Sequence, residues 1–162
     1  MTLKYIKSDL YRYTGHVSLK TFLKTYFFNR GFNFSFWLRL ASAQSAWAKL
    51  AYPIYYYKKK HYGIDIHTTT QIGYGLFIGH GGPLVVNPTT VIGNNVNLSQ
   101  FTTIGANVCI IEHVKIGNNA TIGAGSVVTK DIPENATAVG NYAKVISMNN
   151  PGHAVNRRWT DL

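Results

Sequence analysis

Seven aliphatic residues follow one another at intervals of six: Ile92, Leu98, Ile104, Ile110, Ile116, Ile122 and Val128. Four positions after each of the first six stand Val96, Thr102, Val108, Val114, Ala120 and Ser126, all small or β-branched. Upstream, Ile66, Ile72 and Ile78 keep the same interval. A period of six matches neither a heptad nor a 3.6-residue helix. It matches a short strand plus a turn on one flat side of a prism. The aliphatic side chain points inward and the small residue fills the corner. Gly93-Asn94-Asn95 and Gly117-Asn118-Asn119 supply turns in backbone conformations that strain most other residues. Three sides make a coil of about 18 residues, and each inward side chain loses its apolar surface to the neighbouring coils.

The register fails once. After Ile78 the next inward aliphatic is Val86, a step of eight, so two residues are inserted within Gly79-His80-Gly81-Gly82-Pro83-Leu84-Val85. Insertions in a solenoid emerge as loops on one edge. This one carries His80 among glycines that let a substrate come close. Imidazole titrates near neutrality and serves as a general base. A hydroxyl attacking a thioester needs that base in the transition state, and a positioned one contributes about 10²–10⁴ in rate. A carboxylate beside the imidazole fixes its tautomer and stabilises its cation. Asp65 is the only acid between Asp9 and Glu112, which makes it the partner expected for His80.

Several segments together resemble the catalytic region of the serine acetyltransferases, a family of hexapeptide acyltransferases. They are Tyr62-Gly63-Ile64-Asp65-Ile66-His67, Ile72-Gly73-Tyr74-Gly75-Leu76-Phe77-Ile78-Gly79-His80, Asn95-Val96-Asn97-Leu98-Ser99-Gln100, Thr103-Ile104-Gly105 and Ile122-Gly123-Ala124-Gly125-Ser126-Val127-Val128. The likeness spans residues 62–146, and the 15-residue spacing of Asp65 and His80 is the family's. The resemblance implies a mainly β fold, a left-handed parallel β-helix with a short N-terminal helical segment, assembled as a homotrimer. It implies acetyl-CoA as co-substrate, no metal, and direct attack on the thioester without an acyl-enzyme. It makes His80 the general base, Asp65 its orienting carboxylate and the Gly105 amide an oxyanion donor. Ala106 and Ala124, 18 residues apart, would line the pantetheine, with Thr129, Lys130 and Lys144 towards the rest of CoA.

Departures from the family point to a different acceptor. Gly79 stands where the family has an acid that helps hold the amino acid. Thr103-Ile104-Gly105 runs straight into Ala106-Asn107-Val108, where the family has a long loop whose Arg and His help bind it. With these departures the chain resembles the short polysaccharide O-acetyltransferases, and that resemblance implies a sugar hydroxyl of a bacterial surface polysaccharide (capsule, O-antigen or exopolysaccharide) or its precursor as acceptor. Asn87 and Gln100 are neutral side chains suited to such hydroxyls. Serine is the alternative acceptor. A catalytically inert trimeric solenoid acting as a binding module is the alternative of another class. His67, His113 and Cys109 do not form a metal-ligand set, and a single cysteine excludes a disulfide framework.

Charge divides the chain. Residues 1–62 hold 11 of the 16 Lys and Arg, 17 of the 22 aromatics and one acid, Asp9. The expected organisation is a basic, aromatic helical segment at 1–62, a β-helix at 63–146 and a tail at 147–162. Ser18–Phe28 and Phe34–Leu50 read as helices, the second limited by Pro53. Leu19, Phe22, Leu23 and Tyr26 form one apolar stripe. This segment is expected to cap the prism and to touch the inner face of the cell membrane or an anionic or lipid-linked acceptor. No nucleic-acid motif is present, and no signal peptide or apolar run long enough to span a bilayer appears, so a cytoplasmic location is expected.

Overall fold

A computed structural model of the chain describes residues 2–79, 81–98, 108–148 and 157–160. Four helices come first: α1 (Thr2–Thr14), α2 (Leu19–Phe28), α3 (Arg30–Ala41) and α4 (Ala46–Tyr62). Twelve short strands follow among the described residues. The first coil is β1 (Ile64–Ile66), β2 (Gln71–Ile72) and β3 (Phe77–Ile78), and the second is β4 (Leu84–Val86), β5 (Val91–Ile92) and β6 (Asn97–Leu98). The third is β7 (Val108–Ile110), β8 (Lys115–Ile116) and β9 (Thr121–Ile122). Then come β10 (Val127–Val128), β11 (Thr137–Val139) and β12 (Lys144–Ser147). They stack into a three-sided parallel solenoid. One side is β1-β4-β7-β10, the second β2-β5-β8, and the third β3-β6-β9-β11, closed by β12, which pairs antiparallel with β11.

The hexad positions point inward as the period requires. Ile66, Ile78, Val86, Ile92, Leu98, Ile110, Ile116, Ile122 and Val128 are buried in one continuous core, and Ile72 at the open end is partly buried. Turns follow the same logic. Gly75, Asn95 and Asn119 occupy corresponding corners with φ between 54° and 69°. Removing a layer of this stack leaves a cavity that neighbouring coils cannot close. Leu98→Ala is therefore expected to cost about 2–5 kcal/mol, measured as a lower urea midpoint with unchanged slope.

The coils are unequal. Equivalent residues lie 20 apart between the first two coils (Ile78 beside Leu98), and 24 apart between the second and third (Val86 beside Ile110). Only from Ile110 to Val128 is the spacing the expected 18. All the excess falls at the corner leading from the third side back to the first. That step takes six residues from Ile122 to Val128, eight from Ile78 to Val86, and twelve from Leu98 to Ile110. Ile104, at an apparent inward position, lies outside the described residues, and the register skips its hexad. An insertion of one whole period keeps the phase, so the sequence pattern hides it.

The helical segment differs in detail from its reading. Asn29 caps α3 by accepting the Phe32 N–H at 2.9 Å, so this helix begins before Phe34 and stops at Ala41. A fresh helix starts at Ala46 and carries Pro53 inside it. α1 was not foreseen. Ser18 caps α2, accepting the Thr21 N–H at 3.2 Å. The predicted stripe on α2 splits. Phe22 and Tyr26 pack on Phe36, whereas Leu19 and Leu23 are exposed.

These helices cap the open end through side chains. The edge strands of the first coil have backbone groups with no further coil to pair with. Tyr55 donates to the Ile66 carbonyl at 2.6 Å, and Arg39 donates to the carbonyls of Ile72 and Gly73. Ser8 Oγ accepts the Gly75 N–H at 3.0 Å, and Asp9 Oδ1 accepts the Leu76 N–H at 2.8 Å. The Tyr13 hydroxyl accepts the Ile78 N–H at 2.9 Å and donates to its carbonyl at 3.0 Å. Burial pushes the Tyr13 and Tyr55 phenols up, Tyr55 to about 12, so both stay protonated donors. Gly31 lets α3 approach this end, since an added Cβ would lie 2.1 Å from the Ile78 carbonyl oxygen. Tyr13→Phe strips both Ile78 groups of a partner, and a loss of about 1–3 kcal/mol is expected in thermal unfolding.

Candidate functional site

Both long corner steps lie on the same edge of the prism, one above the other. The upper step contains Gly79, position 80 and Gly81, and the lower contains 99–107. His80, Gln100, Gly105 and Ala106 lie outside the described residues. What surrounds them is defined. The Gly81 N–H donates to the Gly79 carbonyl at 2.7 Å, and Gly81 has φ +59°. A Cβ at Gly81 would lie 2.4 Å from Arg30 Cβ and 2.7 Å from the Gly31 nitrogen. Glycine at position 81 is thus required by the close approach of α3 as well as by the turn. Gly81→Ala is expected to strain this corner by more than about 1 kcal/mol.

Asp65 sits at the middle of β1 on the outer face of the first side, in register with Val85 and, one strand further, Cys109. Its Oδ1 is 2.6 Å from Lys59 Nζ near the end of α4. The sequence reading missed this lysine, although Lys58-Lys59-Lys60 stands only one turn before β1. Asp65 and Asn87 line a shallow cleft of about 440 Å³ along that outer face, together with Lys59, His67, Cys109 and Glu112. Among the described residues, the one cation of this cleft, Lys59, is thus already paired with one of its two carboxylates.

The other predicted residues are dispersed. Ala124, partly buried, lies on the short step between β9 and β10, the same edge as position 80. Thr129 and Lys130 lie beyond β10, at the opposite border of the first side. Lys144 is exposed at the start of β12 on the third side. Asn87 is committed to its own turn, its Oδ1 accepting from the Thr89 N–H at 3.0 Å and the Thr89 hydroxyl at 2.9 Å. His67 Nδ1 lies 2.7 Å from Thr69 Oγ1, another local turn contact. Cys109 shares the outer face with Asp65, so it is neither an inward residue nor a corner one. Among the described residues no group of three His, Cys, Asp or Glu is placed to hold a metal ion.

Comparisons with known proteins agree on one kind of relative. Residues 99–130 match the family described as bacterial transferase hexapeptide (six repeats). The chain is 36% identical to mitochondrial serine acetyltransferase 3 of Arabidopsis thaliana, over 52% of this chain and 27% of that protein. It is 34% identical to the serine acetyltransferase of Helicobacter pylori, over 52% of this chain and 61% of that protein. Among solved structures, the serine acetyltransferase of Neisseria gonorrhoeae superposes with a TM-score of 0.68 at 28% identity, covering 90% of this chain and 66% of that one. The soybean apoenzyme gives 0.64 at 26%, covering 90% and 69%. The chain spans between 27% and 61% of the length of the curated relatives it matches.

These relatives overturn the sugar acceptor. The surface-polysaccharide reading rested on an uninterrupted run from Thr103 to Val108. The register instead gives that corner six residues more than a regular step, so the absence of an acceptor loop does not follow from the repeat. With the sugar reading go the sugar-bonding roles of Asn87 and Gln100.

Proposed function

We propose that this hexapeptide-repeat chain is an acetyl-CoA-dependent serine O-acetyltransferase. The observation that carries the reading is agreement between sequence and structure. The named sequence relatives are serine acetyltransferases, and so are solved neighbours that superpose over 90% of the chain. The Neisseria gonorrhoeae enzyme is among these neighbours in complex with serine, at a TM-score of 0.64.

In this reading His80 takes the proton of the serine hydroxyl as its oxygen attacks the acetyl carbonyl. The thioester C–S bond breaks, and CoA leaves as the thiol. Asp65 orients the imidazole, and the Gly105 amide faces the oxyanion. Ala106 and Ala124 line the pantetheine, and Thr129, Lys130 and Lys144 lie towards the remainder of CoA. Residues 63–146 supply this chemistry, residues 1–62 cap it, residues 147–162 follow as a tail, and three copies assemble side by side.

The test is thiol release from acetyl-CoA on addition of L-serine. Release that saturates with serine, and is not matched by glucose or N-acetylglucosamine, is expected. Release with sugars alone would overturn the proposal.

A further inference from the structure

We propose that the outer faces of α2 and α4 dock on an anionic lipid bilayer. Each helix turns one face to the protein and leaves an apolar face uncovered. On α2, Phe22 packs on Phe32 and Phe36, while Phe27 is 72% and Phe28 87% exposed, beside exposed Leu19 and Leu23. On α4, Ala51 and Tyr55 are buried, while Trp47 (71%), Leu50 (67%), Ile54 and Tyr57 form an exposed stripe at helical spacing. An exposed apolar stripe along each helix marks a contact site.

Charge identifies the occupant. Asp9 is the only acid in residues 1–62, and it is buried against Arg39. This segment therefore shows no carboxylate to solvent. Lys20 and Lys24 stand on α2 between the exposed apolar residues, and Lys49 and Lys60 stand on α4, all exposed. Aromatic rings among lysines suit the headgroup boundary, where rings enter the apolar layer and ammonium groups reach anionic phosphates. A two-fold contact with a second copy through these faces would set Lys20, Lys24 and Lys49 against their own equivalents. Among the described residues no helix is long and apolar enough to cross a membrane, so the contact is one of docking on the surface.

The proposal does not rest on acetyl transfer, and its test reads binding alone. The full chain is sedimented with phosphatidylcholine vesicles with and without phosphatidylglycerol. Binding at least tenfold stronger to the anionic vesicles is expected. Lys20→Gln with Lys24→Gln should weaken it by about fivefold per lysine. Phe27→Ser with Phe28→Ser should weaken it by about tenfold or more at an unchanged circular dichroism spectrum. Equal binding to both vesicles, or anionic binding unaffected by both pairs, would overturn the proposal. So would a loss of oligomer size in the serine pair without lipid, which would make the face a subunit contact.

Discussion

His80→Ala is expected to lower acetyl transfer by about 10²–10⁴-fold while leaving CoA affinity unchanged. The hydroxyl of an acceptor is too weak a nucleophile until its proton moves, and among the described residues no histidine lies on the corner steps between the third side and the first. His67 and His113 belong to the opposite border of the first side, the one with the local turn contact and the other at φ +59° in its own turn. The rate should fall towards acid as the base is protonated, and that limb should vanish in the alanine variant. Asp65→Asn should cost less than His80→Ala, because it alters how the base is held without removing it.

Asp9→Ala is expected to be the most damaging substitution for stability. Both carboxylate oxygens are used: Oδ2 accepts from Arg39 Nε at 3.0 Å, and Oδ1 accepts from Arg39 Nη2 at 3.1 Å and the Leu76 N–H at 2.8 Å. Burial pushes the Asp9 carboxyl up, while Arg39, Leu76 and Arg12 draw it down. Arg39 is itself buried, and without Asp9 it would be a cation with no counter-charge in contact. Breaking one side of such a pair costs about 3–5 kcal/mol. A fall in Tm of about 6–20 °C follows for a chain of this size. Asp9→Asn keeps an acceptor for Leu76 and should fall between the two. A Tm unchanged by Asp9→Ala would show that the cap is not tied to the first coil through this pair.

The solenoid was legible because a period of six leaves little choice of geometry, and nine of the inward residues read from it lie in the buried core. The corner carrying His80 was legible because an insertion of two breaks the phase. The longer one at 99–107 was not, since adding a whole hexad leaves every aliphatic residue in step, and Ile104 looks like its neighbours. The cap was half legible. Aromatic and basic composition announced it, but the roles of Tyr13, Asp9, Arg39 and Tyr55 depend on unpaired groups of the first coil that only the fold presents. The acceptor was misread because local departures at Gly79 and after Gly105 were weighed above the likeness of the whole prism.

The most direct measurement follows the acetyl carbon itself. Acetyl-CoA labelled with ¹³C in the acetyl group is mixed with the protein and L-serine, and the products are resolved by NMR and intact-protein mass spectrometry. The label is expected as an ester on the serine oxygen, formed in step with free CoA and never on the protein. Label retained covalently on the chain, or a serine pool that stays unlabelled while acetyl-CoA is consumed, would contradict direct transfer to serine.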